Sequence, residues 1–99
     1  MIPFFSVGSV ILESPAVPVT EGEYVTLRCR NKTTSPHLTA DFYKNGLFMW
    51  NSSTGEITLH SVSKADEGHY KCSISDAGES PESWLTVRGN RFFLKLQLD

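Results

Sequence analysis

Asp66-Glu67-Gly68-His69-Tyr70-Lys71-Cys72 carries the pattern D-x-G-x-Y-x-C, and the reading of this stretch decides the fold. Successive side chains of a β-strand point to opposite faces, so Tyr70 and Cys72 share one face. The same alternation runs through Tyr24-Val25-Thr26-Leu27-Arg28-Cys29, where Val25, Leu27 and Cys29 share a face. Between them, Leu38 to Lys44 reads as a strand closed by Asn45-Gly46, the strongest short hairpin signal, and Leu47 to Trp50 as its return. Asn51 to Gly55 is a turn, and Ile57-Thr58-Leu59-His60 alternates again, with Val62 continuing inward. Ser63 to Glu67 suits a single helical turn. Ser75 to Ser80 is a loop, and Ser83-Trp84-Leu85-Thr86-Val87 is the last strand, with Leu85 and Val87 inward and Trp84 outward. Val10 to Glu13 is an edge strand, since Pro15 and Pro18 cannot donate to a ladder. Short alternating runs about every ten residues, parted by Gly, Pro, Asn and Ser, predict an all-β sandwich.

Composition narrows the function. The chain has 99 residues, 39% of them hydrophobic and 20% charged, which fits one globular domain. A net charge of −2 with scattered Lys and Arg offers nothing to line up phosphates, so nucleic acid is excluded as a partner. No run approaches the ~20 apolar residues of a membrane span, and direct membrane insertion is not expected. Met1 to Gly8 is apolar but lacks a basic leader region, so the chain reads as a fragment whose signal and anchor lie elsewhere. The two cysteines, Cys29 and Cys72, do not form the short clusters that hold zinc. They are either buried thiols or one bridge in an oxidising compartment. Two N-x-S/T sequons, at Asn31 and Asn51, both in predicted loops, point to the secretory route and to glycosylation. His37, His60 and His69 lie on different elements, and no serine sits in a nucleophile motif. No enzyme activity, metal or cofactor is expected.

From Val10 to Val87 the sequence resembles immunoglobulin-like domains, and among them those of Fc receptors and Fc receptor-like proteins, especially of bony fish. The resemblance rests on Ser14-Pro15, Val19-Thr20-Glu21-Gly22, Val25 to Cys29, Asp41-Phe42-Tyr43-Lys44-Asn45-Gly46, Ser63 to Cys72 and Ser80 to Trp84. It implies a sandwich of about seven strands of the C2 or I type, because the spacing between the cysteines leaves room for one short return strand after Gly46. It also implies an inter-sheet disulfide between Cys29 and Cys72 and a tyrosine corner in which the Tyr70 hydroxyl bonds backbone just upstream, with Asp66 steadying the corner. The enclosed loop of about 44 residues would make that bridge worth roughly 4 kcal/mol. Phe42 takes the place of the tryptophan that usually packs on the disulfide; Trp50 and Trp84 stand at the wrong positions for that role.

The resemblance further implies an extracellular or cell-surface domain that binds a protein ligand, immunoglobulin Fc among them, and neighbours similar domains in its parent chain. The expected domain covers residues 10–88, with a linker at 1–9 and a tail or following segment at 89–99. The ligand surface is expected at the loop after Cys29, the Leu47–Trp50 return and the loop after Cys72, with Trp50, Trp84, His37, Asp76 and Glu79 as contacts. Exposed large aromatics are frequent binding anchors. Phe48, Met49 and Trp50 are expected to form an apolar patch. The alternative is a structural spacer or a homophilic adhesion domain.

Overall fold

The computed structural model describes residues 9–32 and 38–90. In chain order the strands are β1 (Val10–Glu13), β2 (Val19–Thr20), β3 (Val25–Asn31), β4 (Ala40–Lys44), β5 (Leu47–Ser52), β6 (Glu56–Leu59), β7 (Gly68–Ile74), β8 (Gly78–Glu79), β9 (Ser83–Leu85) and β10 (Val87–Arg88), with a 3₁₀ turn at Lys64–Asp66. One sheet has the order β1-β3-β6; the other runs β5-β4-β7-β8, with β9 also pairing β7. These ladders are antiparallel, whereas β10 pairs β2 in parallel. The ten short strands follow the expected seven courses, the first broken into β1 and β2 and the last into β8, β9 and β10.

Alternation builds the core. Val25, Leu27 and Cys29 of β3 and Ala40 and Phe42 of β4 are buried, as are Tyr70 and Cys72 of β7. Val10, Val62, Leu85 and Val87 close the ends of this layer. Phe42 is the direct cross-strand neighbour of Cys72, so its ring lies against the bridge. Cys29 and Cys72 are joined with their Cα atoms 6.1 Å apart, linking β3 of one sheet to β7 of the other.

The Tyr70 hydroxyl donates to the Asp66 carbonyl at 2.5 Å, and Asp66 Oδ2 accepts from the Ser63 backbone N–H at 2.8 Å. A single residue thus holds both ends of the 3₁₀ turn that leads into β7. Lys44 bonds the Ala65 carbonyl and sits 5.9 Å above the Tyr70 ring, covering the corner from outside. Burial, and secondarily the negative charge of Asp66, pushes the Tyr70 pKa up to about 12.

Several local expectations are corrected. Asn31 and Asn51 were expected in loops, but Asn31 ends β3 and Asn51 lies within β5. Strand β5 outruns its expected end because a bulge at Met49 restores its register with β4, and Asn51 Nδ2 then donates to Asp41 Oδ1 at 2.8 Å. The last strand is split because the chain crosses between sheets: Trp84 pairs with β7, while Val87 pairs with β2. The Val87 N–H donates to Glu67 Oε2 at 3.0 Å at this crossing. The loop after Cys72 contains the short strand β8, and the strand expected from Leu38 begins at Ala40. His37 lies outside the described residues.

Two outcomes follow from this frame. Replacing both cysteines by alanine should lower unfolding free energy by about 4 kcal/mol, read from urea titrations at neutral pH. Tyr70→Phe should cost about 1–2 kcal/mol through the lost buried hydroxyl bond. The Tyr70 pKa lies above its ordinary value of 10.0, so its share of stability is complete below pH 10 and is lost as pH rises through about 12. Alkaline unfolding curves should therefore show a step that Tyr70→Phe lacks.

Candidate functional site

The two sheets present unlike outer faces. On the β1-β3-β6 sheet, Arg28 reaches Glu13 at 3.7 Å and Glu56 at 3.9 Å, and Arg30 reaches Glu13 at 3.2 Å. The hydroxyls of Thr26 and Thr58 lie 3.1 Å apart between them. Tyr24 and His60 meet edge-on at one end of this face, with centroids 5.2 Å apart. Such a face is polar and internally paired, as a solvated surface should be.

The outer face of the β5-β4-β7 sheet is aromatic. Because Phe42, Tyr70 and Cys72 point inward, Tyr43, His69 and Lys71 must point outward. Cross-strand register then sets Phe48 of β5 beside Tyr43, and Trp84 of β9 beside His69. The Tyr43 and Phe48 rings are T-shaped at 6.0 Å, and the His69 and Trp84 rings are T-shaped at 4.7 Å. Lys71 Nζ lies 5.5 Å above the Tyr43 ring and 3.2 Å from Glu79 Oε1, placing a cation at the centre of the face. Phe48 and Trp84 remain 61% and 51% exposed, far from burial despite their neighbours. Asn51 and Asp41 occupy the end of the face nearest the β7–β8 turn.

The expected contact residues are thus divided. Trp84 and Glu79 share the aromatic face. Asp76, in left-handed backbone with φ 68°, stands in the turn between β7 and β8. Trp50 lies on the other side of its sheet, opposite Phe42 in register, yet is 62% exposed because the facing three-stranded sheet ends short of it. With Met49 and the stretch from Glu56 to His60 it lines an open groove of about 400 Å³ between the free edges of β5 and β6. The expected patch of Phe48, Met49 and Trp50 is therefore split by the bulge: Phe48 faces outward, while Met49 packs against the core.

Tyr43, His69 and Lys71 were not among the expected contacts, although the alternation that placed Tyr70 and Phe42 inward was a signal for them. Two buried serines gave no signal. The Ser80 hydroxyl accepts from the Cys72 N–H at 3.0 Å and donates to the Pro81 carbonyl at 2.9 Å, fixing the turn that carries Asp76 and Glu79. The Ser52 hydroxyl donates to the Glu56 carbonyl at 2.7 Å and accepts from the Glu56 N–H at 3.1 Å, tying β5 to β6 at one point. Among the described residues no group of His, Cys, Asp and Glu could hold a metal ion, and no helix is long and apolar enough to cross a membrane.

Known proteins agree with this architecture. The immunoglobulin domain family matches residues 9–88. The chain is 38% identical over 65 residues to human Fc receptor-like A, covering 65% of this chain and 18% of that protein. It is 34% identical over 79 residues to Fc receptor-like A of Rattus norvegicus, covering 79% and 23% respectively. It is also 37% identical over 59 residues to a CD166 antigen homolog of Carassius auratus, covering 60% and 11%. The chain thus spans less than a quarter of the length of each of these relatives. Among solved structures, the second Ig-C2 domain of human Fc receptor-like A superposes with a TM-score of 0.67 at 24% identity, covering 84% of this chain and all of that one. The first Ig domain of the mouse polymeric immunoglobulin receptor superposes with a TM-score of 0.61 at 18% identity, covering 81% and 96%. Both likenesses bear on the fold alone. The chain belongs to the immunoglobulin domain family, and its sequence is similar to Fc receptor-like A.

Proposed function

We propose that this chain is an extracellular recognition domain of an Fc receptor-like cell-surface protein, and that it binds a protein ligand through the outer face of the β5-β4-β7 sheet. The observation that carries this reading is the contrast between the faces. One is spanned by Arg–Glu pairs, whereas the other exposes Phe48 and Trp84 around Tyr43, His69 and Lys71. Exposed aromatics with a central cation are the composition of a binding hot spot, and a solvated face has no need of them. The disulfide and the sequons at Asn31 and Asn51 support the secretory route. A glycan on Asn51 would stand at the Asp41 end of the aromatic face and leave the half bearing Phe48, Tyr43 and Trp84 open. The unit at work is the domain of residues 10–88. Immunoglobulin is the first ligand to test, since Fc receptor-like proteins are the relatives in hand.

The test is binding of the oxidised, glycosylated domain to immobilised immunoglobulin of its own species. Saturable binding should weaken by at least about tenfold in Trp84→Ala and in Phe48→Ala, a loss of about 1.4 kcal/mol or more for each anchor. Trp50→Ala should leave affinity unchanged. Binding that survives loss of both Trp84 and Phe48 would move the site away from this face. Absence of binding to immunoglobulin would remove that ligand and favour a spacer or adhesion role.

A further inference from the structure

The free edge of β6 has a short, defined set of open hydrogen-bonding groups. The Cys29 N–H donates to the Gly55 carbonyl at 2.8 Å, and the β3–β6 register continues as Leu27↔Ile57 and Val25↔Leu59. In an antiparallel ladder every second residue bonds the neighbouring strand, so Ile57 and Leu59 bond β3, while Glu56, Thr58 and His60 turn their backbone groups outward. The outward groups of Glu56 are taken by the Ser52 hydroxyl. At the other end Ser61 adopts left-handed backbone, φ 53°, and the Val62 N–H turns back to the Glu23 carbonyl, ending the edge. Among the described residues, what remains is the N–H and C=O of Thr58 and of His60, bordering the groove walled by Met49 and Trp50.

We propose that this edge pairs with the same edge of a second copy of the chain, antiparallel about a two-fold axis at Leu59. That register sets Thr58 of each copy opposite His60 of the other, giving four backbone hydrogen bonds with every open donor and acceptor matched. A shift by two residues one way would place the second strand against the groups already held by Ser52, and the other way against Val62, whose N–H and C=O are taken by Glu23 and Gly22. On the outer face, Glu56 becomes the diagonal neighbour of His60 of the second copy, an acid beside an imidazole on each side of the axis. On the inner face the two Leu59 side chains meet, and each groove with its Met49 and Trp50 is closed over them. A folded second copy suits a two-residue edge better than a loose peptide, because its strand is already ordered and pays no entropy for extension. The interface lies apart from the aromatic face, so two copies can pair while both keep that face open.

Sedimentation of the full chain from about 10 µM to about 1 mM, the range of a small interface, tests the pairing. The unmodified chain should shift from monomer to dimer across this range, with exchange of the Thr58 amide slowing as dimer forms. Thr58→Pro removes an outward N–H that the monomer does not use and should weaken association at least tenfold. The exposed hydroxyl contact with Thr26 goes with it, so Thr58→Val, which loses only that contact, should dimerise as the unmodified chain does. Trp50→Ser, which leaves the backbone alone, should also weaken it, and Trp84→Ala should leave it intact. A chain that stays monomeric throughout would overturn the proposal. So would a dimer that tolerates Thr58→Pro and Trp50→Ser but is lost in Trp84→Ala. Thr58 protection independent of concentration would place another segment of the same chain on the edge, and the proposal would fall.

Discussion

The Cys29–Cys72 bridge joins β3 and β7, the two longest strands, each at the middle of its own sheet. Hydrogen bonds hold each sheet within itself, whereas between the sheets side-chain packing and a few hydroxyl links such as Ser52 to Glu56 act beside this covalent tie. Its position also fixes parity. Once Cys29 and Cys72 point at each other, every second residue along both strands is committed to the core and the rest to solvent. Phe42 is then directed against the bridge from β4, and Tyr70 is directed to the corner where its hydroxyl meets Asp66.

That parity has consequences on the outside of the molecule. Tyr43, Lys71, His69 and Trp84 reach one outer face only because their neighbours Phe42, Tyr70, Cys72 and Leu85 are held inward. The opposite outer face takes Arg28, Arg30 and Glu13 by the same logic. A one-residue slip in β7 would bury Lys71 and expose Tyr70, at a cost far above that of any surface contact. The aromatic face is therefore as strongly specified as the core beneath it.

Two serine hydroxyls act where the ladders give out. Ser80 occupies the Cys72 N–H beyond the reach of β9, and Ser52 bridges β5 to β6 where no strand fills the gap. A hydroxyl both donates and accepts, so one small side chain satisfies two backbone groups at a place where no further strand reaches. Past Ser52 the sheet edges part, and the groove beside Trp50 begins.

Residues next to one another in the chain were enough to predict the sandwich and the inward course of Cys29, Tyr70, Cys72, Leu85 and Val87, because period-two alternation is a local property, while the bridge itself followed from the resemblance to immunoglobulin-like domains. The Asp66 pattern likewise announced the corner before β7. Tertiary structure alone decided which outward residues meet. Trp84 and Trp50 look alike as exposed tryptophans in the sequence, yet one lies on the aromatic face and the other beside the edge groove. The bulge at Met49 separates them, and a bulge follows from packing against β4, not from any residue pattern within β5. The strand course of Asn51 and the burial of Ser52 and Ser80 were likewise decided by the fold, since a polar residue is buried only where folding brings backbone groups within reach of it.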